Sequence, residues 1–231
     1  GPRALRAASS SMTWARPWPW DIDPMEALAI VDYGDCPFDH GTPADVPAEI
    51  TAFIEPVVGA GVTTLVLGGD HFISYPVLKA HAAHHGPLCL VHFDAHSDTW
   101  ADQGERIDHG TMFWHAVKDG IVDDAHSAQI GLRTTNDEPL GFNIFDARFV
   151  HEHGVAEVVR RVREVVGERK AYLTFDIDCL DPSFALAADV FVFTDGQRLF
   201  VASGDGDNVR QVDAVPTGPG FARPAPALSP D

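Results

Sequence analysis

At 231 residues and 45% hydrophobic content, the chain can bury the core of one large α/β domain, and it does not have the composition of a disordered segment. A formal charge of −18 argues against nucleic acid and anionic membrane as partners; it reads most simply as a solvated acidic surface and also suits bound cations or a cationic substrate. Cys36, Cys89 and Cys179 are too few and too scattered for a disulfide framework, which points to free thiols in a reducing compartment.

Taken in order, Arg3–Ser11 is expected to form a short helix with Pro2 near its first turn. Trp14–Asp23, with three Trp and two Pro, is too irregular for a regular element. Ala27–Tyr33 is a predicted strand, and Gly34–Pro47 a loop rich in Gly, Pro and Asp. Ala48–Gly59 has apolar residues at helical spacing, closed by Gly59 and Gly61. A strand over Thr63–Leu67, a helix over Tyr75–His85 and a strand over Leu88–Phe93 follow. His81, His84 and His85 are read as surface residues of that helix.

Trp100–Gly110 is a polar loop and Thr111–Asp119 a predicted helix. Ser127–Leu132 and Asn143–Phe145 read as strands, and Val155–Val166 as an amphipathic helix with Val158, Val159, Val162, Val165 and Val166 on one side. Ala171–Phe175 is the last strand of this type. Strands alternating with helices predict a mostly parallel sheet covered on both faces. Right-handed crossovers then bring every strand's carboxyl end to one rim, where open α/β sheets bind ligands.

From Leu186 the character changes. Alternating runs on either side of Asp195-Gly196 predict a β-hairpin, and the segment after it resembles one blade of a β-propeller. Thr217–Asp231 is rich in Pro, Ala and Gly and is expected to be disordered. The chain is thus divided into 1–185, an α/β domain, and 186–231, a tail of different character. No bilayer-length apolar run and no signal peptide are read, and a cytoplasmic location is expected.

The chemistry concentrates in three pieces. In Val91–Asp98, VHFDAHSD, an apolar opening leads into Asp94, His96 and Asp98 at i, i+2 and i+4, a spacing that sends all three to one face of extended backbone. In Thr174–Asp178, TFDID, Asp176 and Asp178 again sit two apart. In Gly68–His71, GGDH, His71 follows the apolar run Leu65–Leu67. All six side chains are expected at the rim. Four carboxylates and two imidazoles exceed the needs of one ion and suit two divalent ions, with the oxygen-rich set favouring Mn²⁺ over Zn²⁺. Such a pair lowers the pKa of a bridging water and points to metal-assisted hydrolysis. His92 is expected to point away from Asp94's side of the strand.

The segments GGDHF, VHFDAHSDTW, DHGTMF, QIGLRT and LTFDIDCLDPSFA, in this order, resemble the ureohydrolases, most closely the agmatinases, from Gly1 to about Ala185. The resemblance implies a three-layer α/β/α arginase-like fold, here incomplete at both ends, and a binuclear manganese cluster. It implies hydrolysis of agmatine to putrescine and urea by a metal-bridging hydroxide, a homo-oligomer, and a small cationic guanidino substrate. Carried over by motif, His71, Asp94, Asp98 and Asp176 would hold one ion, and His96, Asp94, Asp176 and Asp178 the other. Asp98 and His109 would be catalytic, His109 as proton shuttle or substrate contact. The arginase members carry a Ser-Gly-Asn loop where this chain reads TWADQGERID, which favours a substrate without an α-carboxylate and leaves guanidinobutyrate open. The family continues with a Gly-Thr-Gly-Thr-Pro segment, two strands, a helix and a substrate-contacting glutamate, whereas this chain diverges at Leu186. All six ligands with low or absent turnover are therefore expected, and a non-catalytic metal-binding remnant stands as the alternative.

Overall fold

A computed structural model describes residues 1–10, 22–101, 104, 107–135, 139–181, 190–194, 199–203 and 209–212. Helix α1 spans Pro2–Ser9 and is tied to the following extended chain by Arg6, which pairs with Asp32 at 2.6 Å and Asp35 at 2.9 Å. The short α2, Pro24–Ala27, starts where Asp23 accepts a hydrogen bond from the Met25 amide. Helix α3, Val46–Gly59, buries Val46, Ile50, Ile54 and Val58, a stripe repeating every four residues. Helix α4, Ser74–His85, packs along it and ends at Gly86, whose φ of +75° is open to glycine at little cost.

Strand β1, Cys89–Phe93, is followed by α5, Met112–Lys118, then β2, Ala128–Ile130, and β3, Asn143–Phe145. Helix α6, Ala147–Val166, is kinked at Gly154 and leads to β4, Ala171–Phe175. The four strands form one parallel sheet in the order β3-β2-β1-β4. Leu78, Leu90, Met112, Phe113 and Ala116 make the main core, placing α4 and α5 against one face of β1. Helix α6 packs along β2 and β3. The sheet is thus the parallel, helix-covered one that the alternation of elements predicts.

Two predicted strands do not form. Ala27–Tyr33 is the end of α2 followed by extended chain, and Thr63–Leu67 is extended but joins no ladder among the described residues. Val31 and Leu65 are 80% and 88% exposed. A strand needs a hydrogen-bonding neighbour as well as a suitable sequence, and these segments have none among the described residues. His81 is also not a plain surface residue, since its Nε2 lies 3.0 Å from Thr64 Oγ1.

Beyond the parallel sheet, β5, Val190–Thr194, pairs antiparallel with β6, Leu199–Ser203, which pairs antiparallel with β7, Val209–Val212. The Asp195-Gly196 turn and the segment 217–231 lie outside the described residues, as does most of Trp14–Asp23. No described helix is long and apolar enough to cross a membrane.

Candidate metal centre

Three loops meet at the carboxyl ends of the strands. Asp94 extends β1 past its last residue, its amide donating to the Ile130 carbonyl at 3.1 Å. Asp176 does the same for β4, donating to Phe93 O at 2.8 Å, and then starts a 3₁₀ turn, Ile177–Cys179, by accepting from the Asp178 amide. Asp70 starts the turn His71–Ile73 in the same way, accepting from the Phe72 amide. Each acidic residue that opens a turn satisfies an amide the turn leaves unpaired.

A fourth loop clamps two of these, the ones after β1 and β4. The Arg133 and Thr134 amides donate to Ala95 O at 2.8 and 3.2 Å. The Arg133 guanidinium donates to the carbonyls of Asp178 and Cys179. Gly131 brings this loop in at φ +94°, with the Asp94 carbonyl 3.3 Å from where a Cβ would sit. Arg133 belongs to the QIGLRT motif, but its structural task follows only from what it touches.

The His71 ring anchors the first group. Its Nε2 meets Thr174 Oγ1 at 2.7 Å, which turns Nδ1 inward. That nitrogen lies 3.0 Å from Asp94 Oδ2, 3.1 Å from Asp98 Oδ2 and 3.4 Å from Asp176 Oδ2. It is buried and makes no hydrogen bond of proper geometry with any of them. The second group has His96 Nδ1 2.9 Å from Asp178 Oδ2 and 3.4 Å from Asp94 Oδ1. Asp94 therefore belongs to both groups, one oxygen in each. Asp176 reaches the first group through Oδ2, while its Oδ1 is held by the Asp178 amide. His109 stands apart on the exposed rim, 3.5 Å from Asp70.

His92 differs from its expected place. It lies on Asp94's side of the strand, wholly buried, with Nε2 2.8 Å from Asp94 Oδ2. Residues 92, 94 and 96 share one parity, so the period of two that brings Asp94 and His96 together brings His92 as well.

The electrostatics are those of carboxylates crowded away from water. Burial tends to raise the Asp94 carboxyl, but the close His71 imidazole and the hydrogen-bonded His92 outweigh it and hold Asp94 below the usual carboxylate range. Asp98 is pushed up, first by burial and then by the Asp94 charge. Asp178 is raised to about 6 by burial and by the charges of Asp94 and Asp176. Burial opposes charge on His71, yet Asp94 and Asp98 overcome it and raise the ring to about 10. Asp98 also adopts φ 53°, a left-handed conformation that aspartate tolerates better than most residues and that often marks a working site.

This arrangement fits divalent metal. A buried imidazole nitrogen without a hydrogen bond, facing three carboxylate oxygens within 3.4 Å, has the donors of a coordination site. The carboxylate Asp94 placed between two imidazoles gives that site a second centre. Cys179 does not compete as a thiolate, because burial and the nearby aspartates push its thiol up to about 12.

Fold and site define an α/β protein whose parallel sheet carries a two-centre carboxylate–imidazole cluster at its carboxyl rim. The chain belongs to the arginase family, whose model matches residues 1–189. It is 43% identical to an agmatinase of Chromobacterium violaceum over 227 residues, 96% of this chain and 70% of that protein. It is 48% identical to an agmatinase of Proteus mirabilis over 186 residues, 80% of this chain and 60% of that protein. The structure of a hypothetical agmatinase from Burkholderia thailandensis superposes with a TM-score of 0.78 at 52% identity, over 80% of this chain and 59% of that one. Proclavaminate amidino hydrolase from Streptomyces clavuligerus matches with a TM-score of 0.69 at 33% identity, over 80% of this chain and 64% of that one. The chain thus spans about 60–70% of the length of the curated relatives it matches.

Proposed function

We propose that this chain acts as a metal-dependent amidinohydrolase that cleaves agmatine to putrescine and urea, with two Mn²⁺ ions held by His71, Asp94, His96, Asp98, Asp176 and Asp178. The observation that carries the reading is the division of Asp94 between two imidazole–carboxylate groups, one oxygen in each. The agmatinase relatives support the choice of substrate. When bound, the two ions supply an activated water as nucleophile and Lewis acidity toward the guanidinium carbon.

The chain's own residues divide the remaining work. Asp94, Asp176 and Asp178 keep negative charge at the rim and favour a cationic guanidinium over a neutral amide. Asp98, its carboxyl raised by burial and by Asp94, is suited to take a proton from water and return it. His109, exposed beside Asp70, is suited to protonate the departing amine. The TWADQGERID segment, in place of the arginases' Ser-Gly-Asn loop, leaves guanidinobutyrate as the competing substrate. A cytoplasmic location goes with this reading.

A second reading is favoured by one further observation. Leu65, Leu173 and Phe175 are 88%, 63% and 52% exposed, and the chain spans 60% of the Proteus relative. On this reading the centre binds metal without turning substrate over. Urea release from agmatine, guanidinobutyrate and arginine, measured with added Mn²⁺ alongside metal content, separates the readings. Metal-dependent urea release that Asp94→Asn abolishes supports the first. Two bound ions without urea favour the second, and a chain that binds no Mn²⁺ sinks both.

A further inference from the structure

His92 is the one buried histidine of the cluster that the function above leaves unused. It sits on β1 directly beside Gln129 of β2 in the sheet register, and both side chains are wholly buried. Gln129 Nε2 lies 2.6 Å from the Ser97 carbonyl and 3.2 Å from His92 Nδ1. On its other side, His92 Nε2 lies 2.8 Å from Asp94 Oδ2.

These contacts admit one proton arrangement. The Ser97 carbonyl can only accept, so the amide atom facing it is the NH₂ group and not the oxygen. The second hydrogen of that NH₂ is then directed to His92 Nδ1, which must accept. A neutral ring accepting at Nδ1 carries its proton on Nε2, and Nε2 faces Asp94. The Gln129 oxygen is left as a buried acceptor without a partner among the described residues, the cost of keeping the NH₂ where it is.

We propose that Gln129 and His92 form a buried positioning relay, running from the Ser97 carbonyl to the Asp94 carboxylate, which sets the His92 tautomer and aims Asp94 at both metal positions. This rests on the metal reading above. Asp94 receives one hydrogen bond on each oxygen, from His92 on Oδ2 and from the His96 amide on Oδ1 at 2.7 Å. Each oxygen keeps a lone pair for one ion, as a shared carboxylate requires. His92 itself is not a ligand, because both ring nitrogens are engaged and neither has a free lone pair toward the cluster. Its ring is wedged against Phe113 at 4.7 Å and His71 at 5.5 Å, which prevents it from turning away.

Two measurements on the whole chain test the relay. The first is the ¹⁵N chemical shifts of His92 in the metal-free protein, which distinguish a protonated Nε2 from a protonated Nδ1 without any need for activity. A protonated Nε2 and a bare Nδ1 are expected. Gln129→Glu, which can only accept, should move the proton to Nδ1. The second is Mn²⁺ affinity by equilibrium dialysis. His92→Phe keeps the packing but removes the donor, and should weaken Mn²⁺ binding about 10–100-fold, the usual cost of losing a hydrogen-bonding partner of a ligand. His92→Gln places an amide N–H where Nε2 stood and should restore most of that loss. A protonated Nδ1 in a chain that binds Mn²⁺ overturns the relay alone, as does wild-type affinity in a folded His92→Phe. Failure of the unaltered chain to bind Mn²⁺ overturns the metal reading and this proposal with it.

Discussion

At the residue scale, the centre works because individual atoms have separate tasks. Asp94 gives one oxygen to each group, whereas Asp178 serves only the group that contains His96. Asp94→Asn is therefore expected to empty both positions, and Asp178→Asn to leave one ion per chain; elemental analysis after dialysis reads the difference. Protons compete for the same atoms. The Asp178 carboxyl rises from its ordinary 3.8 to about 6, so the metal-free fold is stabilised by its protonated form fully below about 3.8 and loses that contribution as pH rises through about 6. His71 rises from 6.5 to about 10, so the stability from its protonated ring is full below 6.5 and fades as pH rises through about 10. An ion at these positions displaces both protons. Mn²⁺ affinity should consequently fall as pH drops below about 10, more steeply below about 6, and binding at neutral pH should release a proton from His71, both measurable by calorimetry in buffers of different ionisation enthalpy.

At the scale of elements, the loops after β1 and β4 are held in place by the loop that follows β2. Gly131 makes that possible, since its φ of +94° is strained for any side chain and a Cβ would crowd the Asp94 carbonyl at 3.3 Å. Gly131→Ala is expected to destabilise the fold by about 1–3 kcal/mol, read as a lower denaturant midpoint, and to loosen metal binding at the same time. The outer edge of β4, which pairs with no further strand among the described residues, has a different consequence. Val66 and Tyr172 share one apolar cluster with α3 and α4, so the extended run 62–68 and β4 lie on the same layer. No ladder joins them among the described residues, and Leu65 and Leu173 are exposed beside unpaired backbone. Such an edge invites pairing with another chain. Leu173→Lys should lower light scattering at high protein concentration while shifting stability by less than about 0.5 kcal/mol, as surface changes do.

At the scale of the whole molecule, metal binding is expected to couple to the fold. The cluster joins residues far apart in the chain, His71 and Thr174 being 103 positions apart, so the loaded centre acts as a cross-link that the unfolded chain lacks. Mn²⁺ at 100 times its dissociation constant adds about 2.7 kcal/mol per site. The thermal midpoint should rise with Mn²⁺ concentration and return to its starting value on adding a chelator, followed by differential scanning calorimetry. A formal charge of −18 works in the same direction, because each bound cation reduces the self-repulsion of the compact state.

Much of this was legible in one dimension. Apolar runs and helical stripes marked β1, β4, α3 and α4, because periodicity is a local property that burial selects. The ligand types and their spacing of two marked the rim loops for the same reason. Other features depended on partners distant in sequence. Ala27–Tyr33 and Thr63–Leu67 have the composition of strands yet have no ladder among the described residues, since backbone hydrogen bonds require a neighbour that composition does not supply. The residue types and order of the centre are properties of the sequence alone. That Asp94 is shared was already implied by the motifs; that Asp176 reaches the His71 group and not the His96 group, which nitrogen of His71 faces the cluster, and the part played by His92 and Gln129 were decided only by tertiary structure. Those outcomes depend on distances of about 3 Å between residues tens of positions apart, and on hydrogen-bond directions that spacing along a chain does not encode.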